Sequence, residues 1–374
     1  MRIVSILGTR PQLIKAAALS PVLRARHDEI LVDTGQHYDD EMAGTFYREL
    51  GLPAPDHGLG VGGGSHAEQT AAMLIGLESI LAIHHPDAVL IYGDTNSTLA
   101  GALAAAKARL PVAHVEAGLR SFDRRMPEEI NRLVADHLAR WLFAPTPTAV
   151  DNLRAEGISA GVVLVGDLMQ DLAARVGRVV ATPSALTVAS DHLAAAPGVD
   201  LQPGGYLFAT VHRAENRQPV ALRAWAALLD RVARPDRPVI LAIHPGTRLA
   251  LEREGIAFSP RVRLVDPQGY RTSLTLQMHA AAVITDSGGV QREAAWLGVP
   301  CLVLRATTEW LEAVAGSGGR MVIVGLDADL AERALAELAP PDRSPTVARE
   351  RAAAFDLAPA GAAAAIVAAL EAAE

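Results

Sequence analysis

The chain contains one cysteine, Cys301, so no internal disulfide can form and a reducing compartment fits. Cys301 sits in the run Val299-Pro300-Cys301-Leu302-Val303-Leu304. This run reads as a core strand, in which the thiol is a small buried hydrophobe and not a nucleophile. Lysine occurs twice, Lys15 and Lys107, among 34 lysines and arginines. Asparagine occurs four times, at 96, 131, 152 and 216, and three of the four fall in the polar motifs described below. A chain this biased to arginine and alanine keeps lysine where something needs it, which singles out Lys15. No apolar run reaches the roughly 18 residues of a membrane span, and no secretory signal pattern opens the chain. A cytoplasmic protein without a membrane partner is expected. No Walker lysine follows a glycine loop, which argues against ATP hydrolysis. No Gly-x-Gly-x-x-Gly follows the first strand, so a nicotinamide cofactor is not indicated. His84, His85 and His114 stand isolated in sequence and no metal-ligand spacing occurs, so the expected cofactor and metal content is none. The net charge of −8 and pI near 5.9 argue against a nucleic-acid partner. They do not exclude a diphosphate, because a local pocket can be positive within an acidic protein.

What is present is repeated alternation of apolar runs and helical segments. At 374 residues, half of them apolar, the chain suits two domains. The alternation predicts an α/β protein with two doubly wound, Rossmann-like domains facing a cleft. The first spans 1–168, with a C-terminal helix at 357–374 assigned to it below; the second spans 169–356. The organising stretch is Thr285-Asp286-Ser287-Gly288-Gly289-Val290-Gln291-Arg292-Glu293. It follows an apolar strand at 280–284 and precedes a helix expected from Gln291 to Leu297. Two glycines allow close approach of backbone N–H groups, and a helix start adds partial positive charge, so a phosphate or diphosphate is favoured. Glu293, one turn in, is placed to accept ribose hydroxyls.

Polar motifs end the predicted strands in both halves. The first strand opens into Gly8-Thr9-Arg10-Pro11-Gln12-Leu13-Ile14-Lys15, with two cations near an anion-friendly turn. Asp94 and Glu116 end neighbouring strands, and Glu128 begins a helix; each has a plain reading as a cap or dipole partner. His212 ends the first strand of the second half. Asp94, Glu116, Glu128 and His212 are the candidates for proton transfer. Clustered carboxylates suit removal and return of a carbon-bound proton, because neighbouring acids raise one another's pKa.

Gly8-Thr9-Arg10-Pro11, Thr34-Gly35-Gln36-His37, Gly93-Asp94-Thr95, His114-Val115-Glu116-Ala117-Gly118-Leu119-Arg120, Pro127-Glu128-Glu129-Ile130-Asn131-Arg132, His212-Arg213 and Thr285-Asp286-Ser287-Gly288-Gly289 occur in the order found in one family. From about residue 1 to 325 the chain resembles the non-hydrolysing UDP-N-acetylglucosamine 2-epimerases. The resemblance implies a GT-B fold whose last helix returns to the first domain, a homodimer, and an isomerase needing neither metal nor nicotinamide. The implied reaction removes the C2 proton, expels UDP by anti elimination to a 2-acetamidoglucal, and reverses on the other face to give UDP-N-acetylmannosamine. It implies Asp94, Glu116 and Glu128 as acid/base groups, with His212 near the diphosphate. Arg10 and Lys15 would contact phosphate or sugar, Ser287, Gly288 and Gly289 the diphosphate, Glu293 the ribose and Gln268 the uracil region. Two departures stand out. Trp310 replaces the family's usual arginine after Thr-Thr-Glu, and Gly62-Gly63-Gly64 covers the position that commonly carries a regulatory-site arginine. Other motifs look like the subgroup acting on UDP-2,3-diacetamido-2,3-dideoxyglucuronic acid, which is the second substrate reading. A GT-B glycosyltransferase, a hydrolysing epimerase and a non-catalytic nucleotide-sugar binder are the remaining alternatives.

Overall fold

The computed structural model describes residues 1–36, 47, 49–193, 201–213, 215–308, 311–338 and 361–372. The chain divides into two compact units, Met1–Leu172 with Ala358–Glu374, and Ala173–Leu357. Unit 1 holds a seven-stranded parallel sheet ordered β3-β2-β1-β4-β5-β6-β7. Its strands are β1 Arg2–Leu7, β2 Asp28–Asp33, β3 His57–Gly58, β4 Ala88–Tyr92, β5 Val112–Val115, β6 Trp141–Ala144 and β7 Val162–Leu164. Unit 2 holds a six-stranded parallel sheet ordered β10-β9-β8-β11-β12-β13. These strands are β8 Leu207–Val211, β9 Val239–Ile243, β10 Val262–Val265, β11 Ala282–Thr285, β12 Cys301–Val303 and β13 Met321–Ile323.

The central strands are continuous apolar runs because helices cover both faces of a parallel sheet. All five residues of β4 are buried. The helix Pro219–Val232 shows the covering layer: Leu222, Trp225, Ala226, Leu229 and Val232 recur at helical spacing and are buried against the sheet. The Trp225 indole N–H, taken out of water, donates to the Asn216 carbonyl at 2.9 Å. The helix Pro127–Leu138 departs from this pattern. Glu129, Asn131, Ala135 and Asp136 are buried while Ile130 is exposed. A helix that turns carboxylates inward needs partners for them there, and these partners are described below.

Several expectations change at element boundaries. The helix expected from Gln291 runs from Gly288 to Trp296, so both glycines lie in its first turn. The two-residue β3 falls in what reads from sequence as a polar loop; it is too short to leave an alternating pattern. Ser65 and Glu68 form a capping box, with Glu68 N donating to Ser65 Oγ at 3.2 Å and Ser65 N to Glu68 Oε2 at 2.8 Å. The last helix, Ala362–Glu371, belongs to unit 1. Asp171 caps its start through Gly361 N at 2.6 Å and Ala363 N at 2.9 Å, and Glu371 pairs with Arg26 at 2.8 Å. The residues at 357–360 and 373–374, Trp310 and the stretch at 37–46 lie outside the described residues. Among the described residues no helix is long and apolar enough to cross a membrane.

Candidate active site

In an open parallel sheet the strand order reverses at one point, and the loops leaving the carboxyl ends there part to make a crevice. In unit 1 the reversal lies between β1 and β4. The turn after β1 carries Arg10 and leads to Lys15; the turn after β4 carries Asp94; the neighbouring β5 ends at Glu116. Gly8 is required at the first turn, because a Cβ there would stand 1.9 Å from Thr34 Oγ1 and 2.6 Å from Ser97 Oγ. Gln12, fully buried, ties the two turns together. Its carbonyl oxygen accepts from Gly8 N at 2.9 Å and Thr9 N at 3.1 Å, and its amide donates to the Tyr92 carbonyl at 2.7 Å and Thr95 Oγ1 at 2.9 Å.

Asp94 is held from the helix Pro127–Leu138. Asn131 Nδ2 donates to its carbonyl at 2.8 Å, and Arg132 forms a short ion pair with its carboxylate. Glu116 forms a short ion pair with Lys15, whose side chain is only 7% exposed. Glu116 also holds φ +73°, a left-handed backbone costing a non-glycine residue about 1–3 kcal/mol and characteristic of functional sites. The sequence reading has neighbouring acids raising one another's pKa. In the structure each of these two instead contacts a cation, Arg132 for Asp94 and Lys15 for Glu116. Glu128 stands in the first turn of its helix, half-buried.

Glu129 has no role in the sequence reading, yet it is 2% exposed and central here. It accepts from Ser121 N at 2.8 Å, Ser121 Oγ at 2.9 Å, Phe122 N at 2.9 Å and Arg132 at 2.9 Å. Burial pushes its carboxyl up, but these donors outweigh burial and hold it below the usual glutamate range. Glu129 therefore fixes Arg132, and Arg132 fixes Asp94.

In unit 2 the order reverses between β8 and β11. His212 follows β8, and Asp286-Ser287-Gly288-Gly289 follows β11. Ser287 caps the helix Gly288–Trp296, and the N–H groups of its first turn, including those of the glycines, lack intrahelical acceptors by geometry. Asp286, wholly buried, binds the two turns together. It accepts from Arg213 N at 3.0 Å, from His212 N at 3.1 and 3.2 Å to its two oxygens, and from Asn216 Nδ2 at 2.8 Å; His212 Nδ1 lies 3.4 Å away. The His212 ring itself is half exposed. Glu293 is buried and accepts from Gln277 Nε2 at 2.7 Å. Gln268 donates to the Asp266 carbonyl at 2.6 Å. The structure thus brings Arg10, Lys15, Asp94 and Glu116 to one sheet edge, and His212 and the Ser-Gly-Gly helix start to another. Cys301 is buried in β12, and burial pushes its thiol up to about 12, unsuited to nucleophilic attack. Among the described residues no group of three or more His, Cys, Asp or Glu could hold a metal ion.

Two parallel α/β sheets, of seven and six strands, make up a GT-B-like fold. A family profile described as UDP-N-acetylglucosamine 2-epimerase matches residues 22–371. A UDP-2,3-diacetamido-2,3-dideoxy-D-glucuronate 2-epimerase of Pseudomonas aeruginosa is 43% identical over 336 residues, covering 88% of this chain and 90% of that protein. A UDP-N-acetylglucosamine 2-epimerase of Methanocaldococcus jannaschii is 40% identical over 338 residues, covering 87% and 88%. The crystal structure of Methanocaldococcus jannaschii UDP-GlcNAc 2-epimerase in complex with UDP-GlcNAc and UDP superposes with a TM-score of 0.83 at 34% identity, covering 99% of each chain. The chain belongs to the UDP-N-acetylglucosamine 2-epimerase family: it is a UDP-sugar 2-epimerase of the non-hydrolysing kind, an isomerase.

Proposed function

We propose that the substrate is UDP-N-acetylglucosamine, interconverted with UDP-N-acetylmannosamine. Unit 1 supplies the acid/base groups Asp94, Glu116 and Glu128, and unit 2 holds UDP through Ser287, Gly288, Gly289, Glu293 and Gln268, with His212 at the diphosphate. One carboxylate takes the C2 proton as UDP leaves with the C1–O bonding electrons. UDP then returns to C1, and C2 is reprotonated on the opposite face. Fixed donors at the departing diphosphate carry much of the catalysis, since a C2 proton beside an acetamido carbon is weakly acidic. The observation that carries the choice of sugar is the pairing of cations at the acid-bearing edge. Lys15 and Arg132, the cations beside Glu116 and Asp94, are each bound to carboxylates of this chain. Neither of these two is left to answer a second carboxylate on the substrate, so a neutral hexosamine suits them. The diacetamido uronate is the second reading, favoured by the 43% identical Pseudomonas relative and by Trp310 in place of an arginine.

Both sugars are tested in deuterated water. The expected result is deuterium at C2 of epimerised product from UDP-N-acetylglucosamine, with the uronate slower. Faster exchange with the uronate reverses the order, stoichiometric free UDP indicates hydrolysis, and absence of exchange with either removes both readings.

We further propose a homodimer in which a second copy covers the helix His66–His84. Ala71, Ile75, Ser79 and Ile83 recur every four residues on one exposed face, with Ile75 67% and Ile83 69% exposed. Joining Ile75 and Ile83 to their copies removes this exposed apolar surface from water. The double variant Ile75→Glu, Ile83→Glu is expected to sediment as a monomer and the natural chain as a dimer. A monomeric natural chain would end the proposal.

A further inference from the structure

Beneath the acid-bearing edge of unit 1 lies a chain of largely buried charged side chains. His114, in the middle of β5, and Asp136, on the helix Pro127–Leu138, are both 0% exposed in their side chains and meet at 2.6 Å, Nδ1 to Oδ1. His114 Nε2 stands 2.7 Å from the Gly93 carbonyl oxygen. Both partners are acceptors, so both ring nitrogens act as donors. The second oxygen of Asp136 accepts from Gly118 N at 3.1 Å and from Arg120 at 2.7 Å, and Arg120 continues to Glu156 at 2.7 Å. Burial pushes the Asp136 carboxyl up, but His114 and Arg120 outweigh it and hold the group below the usual aspartate range.

The position of this pair matters more than its burial. Gly93 immediately precedes Asp94, and Gly118 follows Glu116 by two residues. Gly93, Glu116 and Gly118 all adopt left-handed backbone, at φ +62°, +73° and +82°. Gly118 has no room for a side chain, since a Cβ there would stand 2.3 Å from the Ala149 carbonyl oxygen. Two adjacent strands therefore end in sharp turns, one of them strained at a non-glycine residue. Such turns persist only where the surroundings over-determine them. Here one buried pair grips both: the histidine holds the carbonyl before Asp94, and the carboxylate holds the N–H after Glu116. A fully buried ion pair is a poor source of net stability, because desolvation offsets most of the attraction. Its value lies in geometry.

We propose that His114 and Asp136 are positioning residues for the epimerisation, a single buried clamp that sets the turns carrying Asp94 and Glu116. The inference rests on the reading that these two acids act on the C2 proton. It predicts that loosening the clamp slows chemistry with little effect on nucleotide binding, because the proposed contacts to the uracil region, ribose and diphosphate through Gln268, Glu293, Ser287, Gly288 and Gly289 lie in unit 2.

The test compares Asp136→Ala with Asp136→Asn in the full chain, reading kcat and KM for C2 deuterium exchange, UDP affinity and thermal unfolding. The asparagine variant keeps an acceptor for Gly118 N and Arg120 and turns a donor toward His114, whose neutral ring still donates to Gly93. Asp136→Ala is expected to lose kcat by roughly 100-fold, the scale of a misplacement of about 1 Å, with KM and UDP affinity kept. Asp136→Asn is expected to restore most of that loss. If the alanine variant does not fold, His114→Gln, which can serve one partner but not both, is expected to lose kcat with UDP affinity kept. Unchanged kcat in Asp136→Ala overturns the inference. So does a parallel fall of kcat, UDP affinity and unfolding temperature in both Asp136 variants, the signature of a purely structural role. Asp94→Asn runs beside them: full exchange in that variant removes the reading of the acids itself, whatever the Asp136 variants do.

Discussion

Asp94→Asn is expected to slow C2 hydrogen exchange by roughly 10²–10⁴-fold, the range for loss of a positioned acid/base group, while UDP affinity stays unchanged. The reason lies in how Asp94 is held. Its carbonyl is fixed by Asn131 and its carboxylate by Arg132, which Glu129 anchors in turn. An amide keeps the size of the side chain and can still accept from Arg132, so the turn survives. What disappears is the capacity to take a proton. The separation of kcat from UDP binding is the informative part. Isothermal titration with UDP, alongside exchange measured by mass, gives both numbers on one preparation. Activity retained within a few-fold would make Asp94 a structural partner of Arg132 and shift the proton chemistry to Glu116 and Glu128.

Asp286→Ala should act on the other half of the reaction, weakening UDP by on the order of 100-fold, or about 3 kcal/mol. Asp286 touches no ligand in this reading. It is the buried acceptor for the backbone N–H groups of His212 and Arg213 and for the Asn216 amide, while Arg213 Nε donates to its carbonyl at 3.1 Å. Removal of the carboxylate leaves buried donors without an acceptor, at about 1–3 kcal/mol for each. The turn after β8 is then free to drift from the helix start after β11. A lower unfolding temperature should accompany the weaker binding. Asp286→Asn should be intermediate, because it keeps one acceptor oxygen but sets an amide against the Asn216 amide. Unaltered UDP affinity together with an unaltered unfolding temperature in Asp286→Ala would show that the two turns are held by something else.

Much of this architecture is legible in the residues taken one after another. Short apolar runs bounded by glycine and polar turns read as parallel strands, and the capping box at Ser65 and Glu68 marks a helix start by local chemistry alone. Local patterns fail where the element is too short, as at β3, or where a helix can begin one turn early, as at Gly288. The acids and the Ser-Gly-Gly turn are visible because strand ends carry them. Their partners are not. Lys15 stands out through the scarcity of lysine, but its contact with Glu116 crosses 101 residues. His114 reads as isolated because its partner Asp136 lies 22 residues on, facing inward on a helix whose exposed Ile130 disguises the buried face. His84 likewise meets His57 at 2.7 Å, although neither has a histidine partner predicted from spacing. Gln12, Glu129 and Asp286 carry no sequence signal beyond their places in motifs.

Periodicity, turn chemistry and composition determined by themselves that this chain forms two parallel α/β units with acids ending strands of one and a Ser-Gly-Gly turn in the other, because those features depend on neighbours a few residues apart. Only the tertiary structure decided which cation meets which acid, and that one buried aspartate in each unit ties adjacent turns together. Such contacts join strands and helices tens of residues apart, and their energy depends on burial and hydrogen-bond geometry, neither of which exists until the sheets have formed.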